Sequence, residues 1–337
     1  MSAIKTPLAP PAPLAPLSAG SVSLRLYPHA VEPPMSARQT VVELRAQAAL
    51  ATDAGFDGVM TSEHHGGFAG YIPNPLQMAS WALEAMAAGW AAACPLLLPL
   101  RQTALVIEET AWLAARFPGR VGLGVAAGSL QDDFDILGTT KDGLTRRFAA
   151  GLAEVAGALS GRDPGPLAND PAVAACADAP IPLVSAAMSP AAVRRAAAAG
   201  AGLLFDSMST VARCRQLADA YREAGGERAC VIVRRIWLGP PPTSRQARQV
   251  QVYRGYAASA AVSHWADDAL IADDDPTALA ERLAADVITA GCDAVNVRLH
   301  VPGITPAEAR HQLAQLGGLA PEVRRLLDGH RHRTQAT

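Results

Sequence analysis

The chain has few cysteines, no surplus of charge and no long apolar run, and each lack closes off a class of protein. Its five cysteines (Cys94, Cys176, Cys214, Cys230 and Cys292) are scattered, odd in number and never spaced as CxxC. That pattern speaks against a disulfide framework or a zinc knuckle and fits a reducing cytoplasm. Lys plus Arg (29) nearly balances Asp plus Glu (31), leaving a formal charge of −2. The electrostatic reason to expect a nucleic-acid partner is therefore gone. No apolar run reaches the about 20 residues of a membrane span; the candidate ALEAMAAGWAAACPLLLPL is interrupted by Glu84, Gly89 and Pro95. Residues 1–20 are Pro/Ala-rich without the charged start and continuous apolar stretch of a signal peptide, and are expected to be a disordered tail. A GxGxxG strand-to-helix turn is also missing. VGLGVAAG (121–128) is only a loose echo of one, which weighs against an open doubly wound sheet.

Half of the residues are hydrophobic, enough to fill a large core. Short β-branched or apolar runs alternate with Ala/Leu/Arg-rich segments of helical period. The strands are expected at 21–28, 57–62, 92–98, 120–126, 181–186, 201–207, 229–239 and 293–299. Eight such runs, each followed by a helix, are the count of a (β/α)8 barrel. Their continuous rather than alternating apolar character suits a parallel sheet buried on both faces. A single barrel domain over 21–327 follows, with a polar insertion at 240–276 and a C-terminal tail at 328–337. The insertion carries Tyr253, Tyr256 and Trp265 and reads as a lid or a subunit contact.

In such a barrel the carboxyl ends of the strands form the active face. GFDGVMTSEHHGG (55–67) places Glu63, His64 and His65 at the tip of the second strand. A carboxylate and two imidazoles are expensive beside an apolar strand, so a role in chemistry is expected. His29 follows the first strand and His300 the eighth. These strands are neighbours in a closed barrel, so the four histidines are expected on one wall of one pocket; the bland alternative is solvated loop histidines. Cys94-Pro95 puts a proline inside a central strand, which requires a special backbone such as a bulge or a cis bond, or else marks a harmless irregularity. After the fourth strand come small residues and then Asp132, Asp133 and Asp135, at least two of them expected to cap a short helix. Ser189-Pro190 is a serine N-cap with proline at the first helical position, and the turn before it offers backbone N–H groups to an anion.

Taken in order, GFDGVMTSEHH, PNPL (73–76), LLLPLRQTALVIEE (96–109), FPGRVGLGVAAGSLQDDFDILG (117–138), SAAMSPAAVRRAAAAG (185–200) and AGCDAVNVRL (290–299) resemble the bacterial luciferase-like flavin-dependent oxidoreductases over 21–327. The resemblance implies a (β/α)8 barrel, a homodimer, and FMN, or in another branch a deazaflavin, across the carboxyl face. It puts His64 at the flavin's reactive edge, with Glu63 fixing its tautomer or turned into a structural ion pair. It assigns Cys94 and Pro95 to the bulge under the ring, Ala127 and Gly128 to the adjoining loop, and Ala187, Met188 and Ser189 to the phosphate turn. His29, His65, Phe68 and His300 would line the substrate pocket. An arginine that many members carry before the glycine after strand four is replaced by Ala127, so FMN binds weakly unless Arg101 or Arg194 compensates. Weak binding suits reduced FMN delivered by a separate reductase. The activity implied is oxidation of a small organic substrate by reduced FMN and dioxygen. The alternatives are a deazaflavin-dependent dehydrogenase, a metal-dependent barrel hydrolase on Glu63, His64, His29 and His300, and a non-catalytic flavin-binding protein. The hydrolase lacks the strand-one HxH pair such enzymes carry; no metal site, nucleic acid or membrane is expected.

Overall fold

A computed structural model describes residues 12–68, 70–256, 262–266 and 270–335. The strands are β1 (Val22–Arg25), β2 (Gly58–Thr61), β3 (Trp90–Leu97), β4 (Val121–Ala126), β5 (Leu183–Ala186), β6 (Gly202–Phe205), β7 (Cys230–Leu238), β8 (Leu270–Asp273) and β9 (Ala294–Arg298). All pairings are parallel, and β6–β7, β7–β9 and β9–β1 close the ring. The barrel therefore consists of β1 to β7 and β9, as expected of a (β/α)8 fold. The unexpected strand is β8, inside the polar insertion, which pairs with the last residues of β7 (Arg235–Leu238).

Helices on the outside are α1 (Ala37–Asp53), α2 (Pro75–Ala85), α3 (Thr103–Arg116), α4 (Gln131–Ile136), α5 (Leu144–Leu159), α6 (Pro171–Ala174), α7 (Pro190–Ala199) and α8 (Val211–Glu223). They continue with α9 (Thr243–Tyr256), α10 (Pro276–Thr289), α11 (Pro306–Gln315) and α12 (Leu319–Gln335). Local chemistry sets their starts. Asn74, Ser189, Asp275 and Thr305 each cap a helix whose first residue is proline, a position where the missing N–H is no loss. Among the described residues no helix is long and apolar enough to cross a membrane.

Side chains of the strands alternate between two cores. Val22, Leu24, Val59, Val295 and Val297 pack against the helices, whereas Met60, Ala92, Val184, Leu204, Val231 and Ala294 fill the barrel. Small residues let the barrel close tightly beneath the site. A Cβ at Gly124 would lie 2.2 Å from Cys94 Sγ, so β4 passes β3 only as glycine.

Two terminal expectations are corrected. Residues 12–20 pack rather than dangle: Leu17 is buried with Met60 and Trp90 in the barrel core, and Leu14 N–H donates to Asp57 Oδ1 at 2.7 Å. Apolar area on Leu17 is what orders this segment. Residues 1–11 lie outside the described set. At the other end the expected tail at 328–337 is helical as far as Gln335, within α12. Arg324 of that helix ties it to the same Asp57, Nη1 donating at 2.8 Å.

Candidate active site

A cavity of about 370 Å3 opens at the carboxyl ends of the strands, within the range of small-molecule sites. Its floor is polar. Arg25, inward-facing on β1, donates from Nε to Asn296 Oδ1 (2.7 Å) and from Nη1 to Cys94 O (2.9 Å). Its walls come from all eight barrel strands, β1 to β7 and β9, and the insertion contributes Tyr253 and Trp265. The insertion is docked there by backbone bonds, Ala266 N–H to Met208 O (2.8 Å) and Thr210 N–H to His264 O (3.0 Å). It thus closes part of the mouth; the side chain of Tyr256 lies outside the described set.

His64 lines this cavity. Its Nδ1 meets Asp133 Oδ2 at 2.7 Å, and Asp133 Oδ1 accepts the His65 backbone N–H at 2.7 Å. Asp133 has no exposed side-chain surface. Burial pushes its carboxyl up, but the bonds from His64 and from His65 N–H outweigh this and hold it below the usual carboxylate value. A buried carboxylate on Nδ1 fixes the orientation of the ring. Phe68 and Tyr71 pack on the imidazole, with centroids at 4.8 and 4.5 Å.

Expectation and structure part company at several residues. The Glu63 carboxylate, although on the cavity lining, bonds to other groups than the His64 ring. It accepts from Leu97 N–H (2.7 Å) and from Arg101 Nη2 (2.9 Å) and Nε (3.2 Å), and meets His65 Nε2 at 2.9 Å. Of its two expected roles, the geometry is that of the structural ion pair. His65 is not among the cavity-lining residues, and Arg101, also bonded to Pro73 O, is committed elsewhere. His29 and His300 do not share the wall of His64. Their rings, 6.3 Å apart, border a separate space of about 20 Å3 behind Tyr27, where His29 Nδ1 meets Ile304 O at 2.8 Å and Nε2 meets Gln47. Burial pulls both imidazoles below their usual value, His300 strongly so, with Arg298 and His29 adding to the effect there. Phe68 supports His64 and is not itself part of the cavity lining. Asp133 and its neighbours do not cap α4, whose N-cap is Leu130. A hydrolase's ligand set does not assemble: among the described residues no three His, Cys, Asp or Glu side chains are placed to hold a metal.

The adjoining wall, from β3 to β5, is built largely of small residues. The Cys94–Pro95 bond is cis, and the β3–β4 register slips between Ala93 and Leu96. Pro95 reaches the cavity, with Leu97, Ala126, Gly128, Ser129, Ala186 and Met188. Cys94 itself points at Gly124, and burial raises its thiol to about 12, so it is inert. Of the other expected contacts, Ala127 and Ala187 lie behind the lining, and Ser189, exposed, accepts Ala192 N–H as the α7 cap. Arg194 is exposed on α7, whereas Arg213 of α8 donates to Met188 O at 3.2 Å. The lining suits a flat polycyclic ring. The backbone at Gly128 has φ +85°, a conformation that favours glycine, and the buried Ser62 hydroxyl on the wall has no hydrogen-bond partner among the described residues.

Sequence reading missed Asp133 as the partner of His64, and Arg25, Tyr27, Tyr71, Asp206 and Arg298 as cavity residues. Alternation along a strand was an available signal for some. In SVSLRLYP, Arg25 and Tyr27 share the face opposite Leu24 and Leu26, as Asn296 and Arg298 do opposite Val295 and Val297.

The closed parallel barrel thus carries a histidine–carboxylate pair at one strand tip and small residues along the adjoining wall of the same cavity. The family model for luciferase-like monooxygenases matches residues 24–321, and the chain belongs to that family. Comparison with curated proteins finds no match. Solved structures share the fold. Monooxygenase RslO1 from Streptomyces bottropensis is 18% identical, with TM-score 0.70 over 89% of this chain and 97% of that one. The oxygenating constituent of 3,6-diketocamphane monooxygenase from Pseudomonas putida, solved with FMN, is 18% identical with TM-score 0.70 over 90% and 98%. An F420-dependent secondary alcohol dehydrogenase, bound to an F420–acetone adduct, is 15% identical with TM-score 0.67 over 91% and 99%.

Proposed function

We propose that the protein is a flavin-dependent monooxygenase that uses reduced FMN and dioxygen to oxidise a small organic molecule. The observation that carries this reading is His64, held by Asp133, lining the same cavity as the bulged Pro95 and the wall of Ala126, Gly128 and Ala186. Bound reduced FMN would supply the two electrons that split dioxygen, one oxygen atom entering the substrate and the other leaving as water. Pro95, Leu97, Ala126 and Gly128 would take the flat ring, with the Ser62 hydroxyl available to a polar edge. Met188 and the turn before α7 would take the phosphate, with Arg213 as the nearby cation in place of the arginine missing at Ala127. That turn presents the positive end of a helix dipole.

His64 Nε2 would hold and return the proton on the reacting side, and Asp133 would stabilise the imidazolium that forms. Tyr71, Tyr253 and Trp265 would exclude water from that side once substrate is in place. A second reading, hydride transfer with a deazaflavin, is favoured by the similarity to the F420-dependent dehydrogenase. The two are separated by titrating the protein with FMN and with F420, each oxidised and reduced, and by following oxygen uptake. Preferential binding of reduced FMN with substrate-dependent oxygen uptake is expected. Tight F420 binding without oxygen uptake would replace this reading with the second.

A further inference from the structure

Glu63, at the tip of β2, bonds across the bulge of β3. Regular β2–β3 pairing ends at Thr61 and Ala93, and the β3–β4 register slips between Ala93 and Leu96. Beyond that point Glu63 takes over from the ladder. Its backbone N–H donates to Pro95 O at 3.2 Å, and its Oε2 accepts Leu97 N–H at 2.7 Å. Pro95 and Leu97 both line the cavity, so one residue holds two points of its wall.

The carboxylate is itself held. Its side chain has no exposed surface, and its Oε1 accepts from Arg101 Nη2 and Nε and meets His65 Nε2 at 2.9 Å. Arg101 directly follows the helical turn Leu98–Leu100 that ends β3. The cation that neutralises Glu63 therefore comes from the same stretch of chain that Glu63 grips. Charge-assisted bonds of this kind are the strong ones, and a buried carboxylate deprived of its partners is strongly unfavourable. His65 carries a second tie. Its backbone N–H donates to Asp133 Oδ1, and Asp133 Oδ2 meets His64 Nδ1. It is thus the joint between the grip on the bulge and the carboxylate that orients His64. The adjacent histidines divide the work, since His64 lines the cavity and His65 does not.

We propose that Glu63 is a positioning residue for the cavity wall. Its carboxylate, braced by Arg101 and His65, sets Pro95 and Leu97 where a flat cofactor ring rests, and His65 acts through Glu63 and Asp133 rather than on the reacting atoms. That the ring is a flavin rests on the monooxygenase reading. The amide of Glu63→Gln has a single acceptor oxygen, whereas Leu97 N–H approaches from one side and Arg101 from the other. Whichever way that amide turns, its NH2 group opposes a donor.

Amide hydrogen exchange and flavin titration test this together. In the cofactor-free protein Glu63→Gln is expected to speed exchange at the Leu97 amide by about tenfold or more, with β6 unchanged. FMN and riboflavin, which share the ring but not the phosphate, are expected to lose affinity by the same factor, about tenfold. His65→Leu should move both readouts in the same direction. His65→Gln, whose amide can still donate to Glu63, should stay within about threefold of wild type. Leu17→Ala, in the barrel core beside Trp90, is the control for lost stability and should keep both flavin affinities. Unchanged exchange at Leu97 in Glu63→Gln would overturn the proposal, and so would unchanged affinity for both flavins. A loss confined to FMN would assign Glu63 to the phosphate, and an equal loss in Leu17→Ala would reduce its role to general stability; either overturns it too. Should Glu63→Gln not fold, the two His65 variants decide by the same criteria. A wild-type protein that binds neither flavin sinks the flavin reading, and the exchange comparison then decides the grip on the bulge by itself.

Discussion

At the scale of single residues, the pair that matters is His64 and Asp133, brought together from positions 69 residues apart. General acid–base groups contribute about 10²–10⁴-fold, so His64→Ala is expected to lower turnover by that order while FMN affinity stays within a few-fold; rapid-mixing kinetics beside a flavin titration measure both. Asp133→Asn acts in two ways. It removes the anion behind the imidazole, lowering turnover, and it removes a carboxylate whose folded-state pKa is depressed. Such a group adds stability above its unfolded value near 4, which is lost as pH falls through the folded value. Thermal melts should therefore show Asp133→Asn less stable than wild type at pH 7, with the gap narrowing below about pH 4. A gap that is constant over that range would mean the carboxylate's charge is irrelevant to the fold.

At the scale of elements, the cavity depends on how closely β4 passes the bulge of β3. Gly124→Ala would press a methyl group onto Cys94 Sγ and Cβ, now 2.2 and 2.9 Å from the Cβ position. Overpacking of this kind costs about 1–3 kcal/mol. Because it moves Pro95, flavin affinity should fall along with stability, as a chemical-denaturation series and a flavin titration on the same variant would reveal. The α9–β8 insertion is the other element with a stake in the cavity. It reaches the site through Tyr253 and Trp265, so Trp265→Ala is expected to raise KM severalfold with a smaller change in kcat. The reverse split would place the tryptophan in the chemistry instead.

At the scale of the whole molecule, the barrel is closed at the opposite end by its own N-terminal segment. Leu17 sits over Gly122, Met60 and Trp90, and Asp57 gathers Leu14 N–H, Val22 N–H and Arg324 into one buried knot. Leu17→Ala should destabilise by about 2–5 kcal/mol in equilibrium denaturation without altering cofactor affinity, since the two ends of the barrel are separated by the packed interior. A second global property follows from His29 and His300. Both are pushed below the ordinary imidazole value by burial, so the unfolded chain binds their protons first. Stability should then be full above about pH 6.5 and decline as pH falls below it, and His300→Phe should flatten that arm of a Tm-against-pH curve.

Sequence by itself determined the barrel, because hydrophobic periodicity and caps such as Ser189-Pro190 are local and act within a few residues. It also put His64 at a strand tip and marked Cys94-Pro95 as a special backbone, since proline's missing donor is a property of the residue alone. Tertiary structure decided which groups meet. That Asp133 rather than Glu63 holds His64, that His29 and His300 have a chamber of their own, and that Glu63 bonds across the bulge of β3 all depend on strand register and side-chain direction across a closed sheet. A shift of one residue in either would send these side chains to the other face, and only the packed barrel fixes both.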